Sequence, residues 1–438
     1  TNTGGGATIA AERQAVAMRK DGHTVKHLFV RQNWDSVELS LEERGDNVYV
    51  SSAMPSYLKT DFLFQSFLKN NRTDISNTYM SLWRRQAPFD YLIIEYIEQN
   101  AFDAVHLHWV SSLASSRLIY LLRNLNIPVV ITGHDMNHFA GACHYDAGCS
   151  DHVLANAKSA HVIHDPHFLI QASLEEKYRA ITTLRPQYIF PSKWLYNEYG
   201  KSDIGQALGE ESGKVIRNCI DTDYFSPLPE NDRRKLRAKL GFSDNEIVVV
   251  SGAENNNEIR KGFEYFEHSV REVNRRSFGR INSAKISFVA FGGGDHVVSC
   301  SHPDVNYKHM GVLDESSVRD LFQAADLLAF TSIEENFANV ILEALMCGCP
   351  IIGFNIGGIP DIVQQGQNGC LVNRVSLDDF SDKIASLLFE GEVIQLRNNT
   401  RTWRERESKM YSYKSIADQL IGVYESLRHG RDKNVAVV

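Results

Sequence analysis

The 438-residue chain contains no uninterrupted apolar run of the roughly 20 residues that a membrane-crossing helix needs, and no signal-peptide pattern opens it. It also lacks a surplus of positive charge. Its 46 Lys and Arg against 54 Asp and Glu give a formal net charge of −8, so nothing draws it at long range to nucleic acid or anionic lipid. There is no C-x-x-C pair. The seven cysteines, Cys143, Cys149, Cys219, Cys300, Cys347, Cys349 and Cys370, are odd in number and irregular in spacing, which favours reduced thiols in a cytoplasmic protein over a disulfide framework. Cys143 and Cys149, with His138, His144 and His152 nearby, are too few thiols for a structural zinc knot, and no metal is expected. Hydrophobic residues at 43% and charged residues at 23% are ordinary for a soluble globular protein, and the length is too great for one core, so two or three domains are expected.

Chemistry is densest from Asp326 to Asp361, DLLAFTSIEENFANVILEALMCGCPIIGFNIGGIPD. Asp326 to Ser332 is an apolar run of buried-strand type, and Asn339 to Cys347 has apolar residues at helical spacing among good helix formers. Gly348 and Pro350 stop that helix, and Pro350 to Phe354 starts another buried strand. The result is a βαβ unit, which binds ligands at the carboxyl ends of its strands. Glu335 falls in the strand-to-helix loop and Glu343 about a turn inside the helix, so both reach the same helix end. Backbone N–H groups of Ala338, Asn339 and Val340 lie between them, a ready site for phosphate. Carboxylates beside a diphosphate are repelled unless they face hydroxyls. One acid therefore suits a ribose and the other a sugar, and the pair calls for a sugar nucleotide.

The stretch EENFANVILEALMCGCPIIGFNIGGIPDIV, with Asn336-Phe337, Ala344-Leu345 and Gly357-Gly358-Ile359-Pro360, resembles the donor-binding signature of family 4 retaining glycosyltransferases. An E-x7-E pair alone would be a solvated helix edge; the flanking strand and G-G-x-P loop make it specific. Arg260-Lys261-Gly262-Phe263 matches the R-K-G-F of that family, placing Lys261, with Arg260 beside it, against the diphosphate. Many relatives put an arginine directly after the glycine of the preceding strand, where this chain has Ala253. GHDMNHFAGACHYDAGC is similar to the H-D-x-x-x-F-x-G-x-C-H-Y segment of a bacterial branch that builds surface polysaccharides, in which the residue at His134 borders the donor sugar. His134 also follows a strand, Pro128 to Thr132, where ligands bind; His106 and His108, inside the strand Asp103 to Val110, read as packed histidines.

The amino terminus runs Gly4-Gly5-Gly6 into a helix with an apolar face through Ile9, Val16 and Met18, then a strand from Thr24 to Val30. The chain opens on Thr1 rather than Met, and the strand expected before such a glycine loop is not in this numbering. A glycine run is a weak signal by itself. The family pattern, where the loop faces donor phosphate and acceptor, assigns Gly5 and Gly6 to the site. Tyr57 to Leu68 and Tyr79 to Tyr96 mix aromatic and basic residues; they read as core-packing helices with a solvated basic edge, and alternatively as an acceptor or membrane-surface contact. Farther along, Tyr188 to Pro191 and Lys214 to Asn218 are expected strands, with Ser192 capping a helix between them. IRNCIDTDYFSPLPENDRRKLRAKLGF resembles the family's interdomain hinge, with Cys219 where glycine is usual. The strands Glu246 to Gly252 and Lys285 to Phe291, the segment Asn306 to Leu313 and the helix Glu315 to Ala325 lead to the signature. After Val372 two amphipathic helices are expected, Leu377 to Phe389 and Tyr413 to Leu427.

The resemblance implies an α/β chain of two Rossmann-like domains facing across a cleft, the GT-B architecture: residues 1–222 for the acceptor, 223–412 for the nucleotide sugar, and a crossing helix and tail at 413–438. The implied function is transfer of a hexosyl group from a UDP- or GDP-linked donor to a glycan or lipid-linked acceptor, with retention, in surface polysaccharide or glycoconjugate synthesis. The expected catalytic residues are His134, Lys261 and Glu335; the expected donor-binding residues are Gly5, Gly6, Arg260, Phe337, Ala338, Asn339, Val340 and Glu343. No cofactor or nucleic-acid partner is implied, and the location is cytoplasmic, with contact at the inner face of the membrane if the acceptor is lipid-linked. Two rivals share the architecture: a sugar-nucleotide epimerase and a catalytically silent scaffold. Retention of both glutamates, Lys261 and His134 counts against the scaffold, and the glycine loop mildly against the epimerase.

Overall fold

The computed structural model describes residues 5–32, 39–52, 82–83, 85–87, 89–108, 115–145, 152–153, 168–278 and 284–432. Tyr57 to Leu68, residues 79–81, 84 and 88 of Tyr79 to Tyr96, and Cys149 lie outside these residues. The chain divides into two compact units: Thr1–Cys219 together with Tyr413–Val438, and Ile220–Ser412.

In the first unit, helix α1 (Gly6–Lys20) precedes strands β1 (His27–Gln32), β2 (Ser40–Arg44) and β3 (Asn47–Ser52), which form a small sheet in the order β1-β3-β2. Helix α2 (Asp90–Asn100) then leads to β4 (Val105–His108), α3 (Ser116–Asn124), β5 (Val129–Thr132), α4 (Leu169–Leu184), β6 (Gln187–Phe190), α5 (Lys193–Lys201), α6 (Asp203–Leu208) and β7 (Gly213–Val215). Strands β4 to β7 pair in parallel in sequence order. Ser192 caps α5 as expected, its hydroxyl accepting the Leu195 N–H at 3.0 Å. The buried face of α1 differs from the expected one: Ala10, Ala11, Arg13, Gln14, Ala15 and Ala17 are buried, not Ile9, Val16 and Met18. The reason is close approach. Small alanines let α1 lie against the final helix, α13 (Tyr413–Asp432), whose Ile416, Ala417, Leu420 and Val423 pack with Ala17, Val130, Ile189 and Ile216. Burying such aliphatic side chains is worth about 1.5–3 kcal/mol each, which is enough to fix α13 in this unit.

The second unit runs α7 (Glu230–Leu240), β8 (Ile247–Asn255), α8 (Phe263–Ser277), β9 (Ile286–Gly293), β10 (Val305–His309), α9 (Glu315–Ala324), β11 (Leu327–Phe330), α10 (Asn339–Met346), β12 (Ile351–Phe354), β13 (Gly369–Val372), α11 (Leu377–Phe389) and α12 (Glu392–Glu407). The six strands pair in parallel in the order β10-β9-β8-β11-β12-β13. Counted from β8 this is the doubly wound order 3-2-1-4-5-6, whose ligand crevice lies between the first and fourth strands at their carboxyl ends. Alternate residues of each strand serve opposite cores. Val248, Val250 and Leu328 meet Ile341, Leu345 and Trp403 on one face, while Val249, Ala329 and Ile352 meet Phe266, Val270 and Ile384 on the other.

Three helices, not two, follow Val372. Helix α12 escapes the sequence pattern because its buried stripe is Val393, Leu396, Thr400 and Trp403, with a threonine in an apolar slot among many charges. Likewise the hinge-like stretch ends in a helix with no apolar stripe: α7 buries Arg233 and Arg237 instead. Both guanidinium groups reach Asp326 at the start of β11, at 2.6 and 3.0 Å. No described helix is long and apolar enough to cross a membrane.

Candidate functional site

The loops after β8 and β11 flank the switch point of the second sheet, and they carry Lys261 and Glu335. The first ends in a single 3-10 turn, Ile259–Lys261, followed by Gly262 at φ +58°. A Cβ on Gly262 would stand 2.3 Å from the Thr331 carbonyl oxygen, so glycine alone lets the two loops touch. They are then bolted together. The Thr331 hydroxyl donates to the Lys261 carbonyl at 2.8 Å, and the Ile333 N–H to the Arg260 carbonyl at 2.9 Å.

Glu335 is buried and its Oε2 takes two cations, Lys261 Nζ at 2.9 Å and Arg260 Nη1 at 3.2 Å. Its Oε1 accepts the Asn336 N–H at 3.3 Å. Burial opposes ionisation of this carboxyl, but the Lys261 and Arg260 charges and the hydrogen bonds outweigh it and hold the group below the ordinary glutamate value. Glu335 is therefore a carboxylate at neutral pH. Its stabilising contribution is fully present above the unfolded value and is lost as pH falls through the depressed folded one.

Beneath Glu335 lies the G-G-x-P turn. Gly357 sits at φ +51°, where an added Cβ would be 2.1 Å from the Glu335 carbonyl oxygen, and the Gly358 N–H donates to that same oxygen at 3.0 Å. The motif's glycines thus serve as a seat for the Glu335 backbone. Gly357→Ala is expected to displace Glu335 and lower turnover by about tenfold to 10²-fold, with a far-ultraviolet dichroism spectrum unchanged. Equal turnover in the two proteins would show that the seat is not needed.

Phe337 and Ala338 are buried at the entry to α10, whose cap is Ala338 and receives no side-chain hydrogen bond. Asn339 and Val340 form the first turn of α10 after a cap residue whose own side chain cannot accept, and the positive dipole end of the helix follows the Glu335 loop. Glu343 follows on the same helix and is buried.

In the first unit, Gly5 caps α1, with the Ile9 N–H on its carbonyl at 3.1 Å, and Gly6 opens the helix. His134 comes two residues after β5, and its Nε2 lies 3.1 Å from His108 Nδ1. Burial drives His134 down to about 4, partly offset by Asp135, so the ring is neutral at pH 7. Asp135 in turn pairs with buried His144 at 2.6 Å, tying down the loop that carries His134. His106 is held by the Tyr424 hydroxyl and by Thr132 Oγ1, each at 2.7 Å, a packed role as its strand position suggests. His108 is also enclosed, and its contact with His134 joins β4 to the loop after β5. Among the described residues, no three His, Cys, Asp or Glu side chains gather as metal ligands would. The described cysteines are all free thiols.

Residues 245–390, which hold the whole Lys261–Glu335–Glu343 constellation, match the family described as Glycosyl transferases group 1. This segment is a group 1 glycosyltransferase domain. The resemblance to family 4 stands, and two kinds of relative agree with it. N-acetyl-alpha-D-glucosaminyl L-malate synthase of Bacillus anthracis is 26% identical over 220 residues, 49% of this chain and 52% of that protein. The chain thus matches only about half the length of that curated relative. Sucrose-phosphate synthase of Thermosynechococcus elongatus superposes with a TM-score of 0.64 at 16% identity, covering 97% of this chain and 94% of that one. Anabaena HepE, solved with UDP, superposes with a TM-score of 0.59 at 16% identity over 97% and 98% of the two chains. At such identities these neighbours speak to the fold, which is GT-B. The glycosyltransferase domain places its family signature at the switch point where the doubly wound sheet binds ligands.

Two groups in this glycosyltransferase domain were not singled out from the sequence. Glu258 accepts from Arg260 Nε at 2.8 Å, and the Glu334 carbonyl accepts from Arg260 Nη1 at 3.1 Å. The spacing E-x-R-K-G carried the signal, but a glutamate before a basic pair reads as solvated surface until the fold sets it against a buried arginine.

Proposed function

We propose that the chain transfers a hexosyl unit from a nucleotide-sugar donor to an acceptor hydroxyl with retention at the anomeric carbon, in surface polysaccharide or glycoconjugate synthesis. The observation that carries this reading is the buried carboxylate of Glu335, kept ionised by Lys261 and Arg260 at the switch point of a group 1 domain. A fixed negative charge there favours the positive charge that develops on an anomeric carbon as its bond to phosphate breaks. Lys261 and the first turn of α10 meet the charge on the departing diphosphate. Glu343 takes the ribose hydroxyls, and His134 is assigned to the sugar on the family resemblance. In the same-face course the leaving phosphate oxygen accepts the acceptor's proton, so the new glycosidic bond forms on the face the phosphate leaves. UDP-linked sugars are the first donors to try, since Anabaena HepE has been solved with UDP-glucose. A lipid-linked acceptor would bring the protein to the inner face of the membrane.

The test is a donor screen on the full chain: thermal stabilisation by UDP- and GDP-linked sugars, and slow release of nucleotide. A ligand at about 100 times its Kd stabilises the folded state by ~2.7 kcal/mol. We expect one nucleotide class to stabilise the protein and Glu343→Ala to abolish the shift. Folded protein that responds to no donor would sink the transferase reading in favour of a silent scaffold.

A further inference from the structure

Within that reading, we infer that Arg260 is not a phosphate ligand but the fixed counter-charge that keeps Glu335 ionised when Lys261 leaves it for the donor diphosphate, and that Glu258 is the anchor that fixes Arg260. The three cation–carboxylate contacts differ in freedom. The Lys261 side chain is 22% exposed and holds Glu335 through one contact on a flexible stem. The Arg260 side chain is 7% exposed and is committed on three sides: Nε to Glu258, Nη1 to the Glu334 carbonyl, and Nη1 to Glu335 Oε2. Swinging Arg260 toward phosphate would break all three of its contacts at once, leave the partly buried Glu258 without the Arg260 guanidinium, and leave Glu335 to Lys261 alone, the cation most free to move to the donor. Swinging Lys261 leaves Glu335 still paired.

Before donor binds, Glu258, Arg260, Lys261 and Glu335 sum to zero charge. When Lys261 turns to the diphosphate, the remaining three carry one net negative charge, and Arg260 is then the cation that keeps the proton off Glu335. The charged side chains recorded against Glu335 are Lys261 and Arg260. The Gly357–Gly358 turn on its other side offers only backbone. Arg260 and Glu258 are thus positioning residues, and Lys261 is the cation that touches the donor.

The experiment follows nucleotide release from UDP-glucose, or from whichever donor stabilises the wild type, as a function of pH, alongside affinity for the free nucleoside diphosphate. For Arg260→Gln the acid limb of the kcat profile, which reports the enzyme–donor complex, should move up by about one pH unit, while affinity for the diphosphate stays within about twofold. Arg260→Lys should restore the acid limb, and Lys261→Met should weaken diphosphate binding by about tenfold or more. Glu258→Gln should lower kcat in the wild type but have no further effect in Arg260→Gln. A tenfold loss of diphosphate affinity in Arg260→Gln, or an acid limb that does not move, would overturn the assignment. Should Arg260→Gln not fold, the same two readouts on Arg260→Lys decide: a normal limb with normal diphosphate affinity supports the assignment, and a shifted limb or weakened affinity overturns it. A wild type that binds no nucleotide sugar removes the transferase reading and this inference together, whereas an active wild type with unchanged variants removes this inference alone.

Discussion

Glu335→Gln is expected to lower turnover of the nucleotide sugar by roughly 10²- to 10³-fold while leaving affinity for the free nucleotide close to that of the wild type. The substitution keeps the shape of the side chain and removes its charge. Lys261 Nζ at 2.9 Å and Arg260 Nη1 at 3.2 Å would then face an amide, whose oxygen can still accept but no longer offsets two cations. Two consequences separate this from simple misfolding. Turnover should fall in kcat and kcat/KM alike, the pattern for an interaction made mainly in the transition state. The acid-side loss of stability that comes from protonating Glu335 should disappear from the pH dependence of unfolding, because the group that titrates is gone. Turnover within a few-fold of wild type would remove Glu335 from the chemistry.

The contrast with Glu343 matters here. Glu335 sits in the loop, seated on Gly357 and faced by two cations, whereas Glu343 lies inside α10. Their sequence spacing places them at one helix end, but their surroundings assign different work. Charge beside the first suits the reacting bond, and a position on the helix suits recognition of hydroxyls. A common fate for Glu335→Gln and Glu343→Ala, both losing nucleotide binding alone, would contradict that division.

Most of the second sheet was legible because buried parallel strands declare themselves as apolar runs: VVVSG, ISFVAFGG, LLAF and IIGF each lie in a strand. The site was legible for a different reason, since a G-G-x-P turn and an E-x7-E pair are local patterns tied to a backbone task. What stayed hidden was carried by pairs far apart in sequence. Helix α7 shows no apolar stripe because its buried side chains are arginines, and the acid that makes their burial possible, Asp326, is 93 residues beyond Arg233. Glu258 was hidden in the same way, its value set by Arg260 and by a loop 74 residues on. In the first unit, the alanine face of α1 carried no hydrophobic signal because its partner helix lies at the other end of the chain.

Asp326 supplies the other large effect, and it should be one of stability without chemistry. Its Oδ1 accepts from Arg233 Nη2 at 2.6 Å, and its Oδ2 from Arg237 Nη1 at 3.0 Å and from the Val248 N–H at 2.9 Å, with Arg397 at 3.8 Å. The carboxylate thus ties β8 to β11 at the amino ends of the strands, opposite the end where Lys261 and Glu335 lie. Asp326→Ala leaves two buried guanidinium groups without their counter-ion, and breaking such a group costs about 3–5 kcal/mol. For a unit of this size that is a fall in Tm of about 6–20 °C. Asp326→Asn, which keeps an oxygen for Val248, should fall less. Well below the transition, kcat for either variant should match the wild type, because the switch-point loops keep their own bonds. A Tm within a degree or two of wild type would show that solvent reaches these arginines. A lost kcat in folded protein would show that the two ends of β8 and β11 are coupled, so that the charge at the base of the strands sets the geometry at their tips.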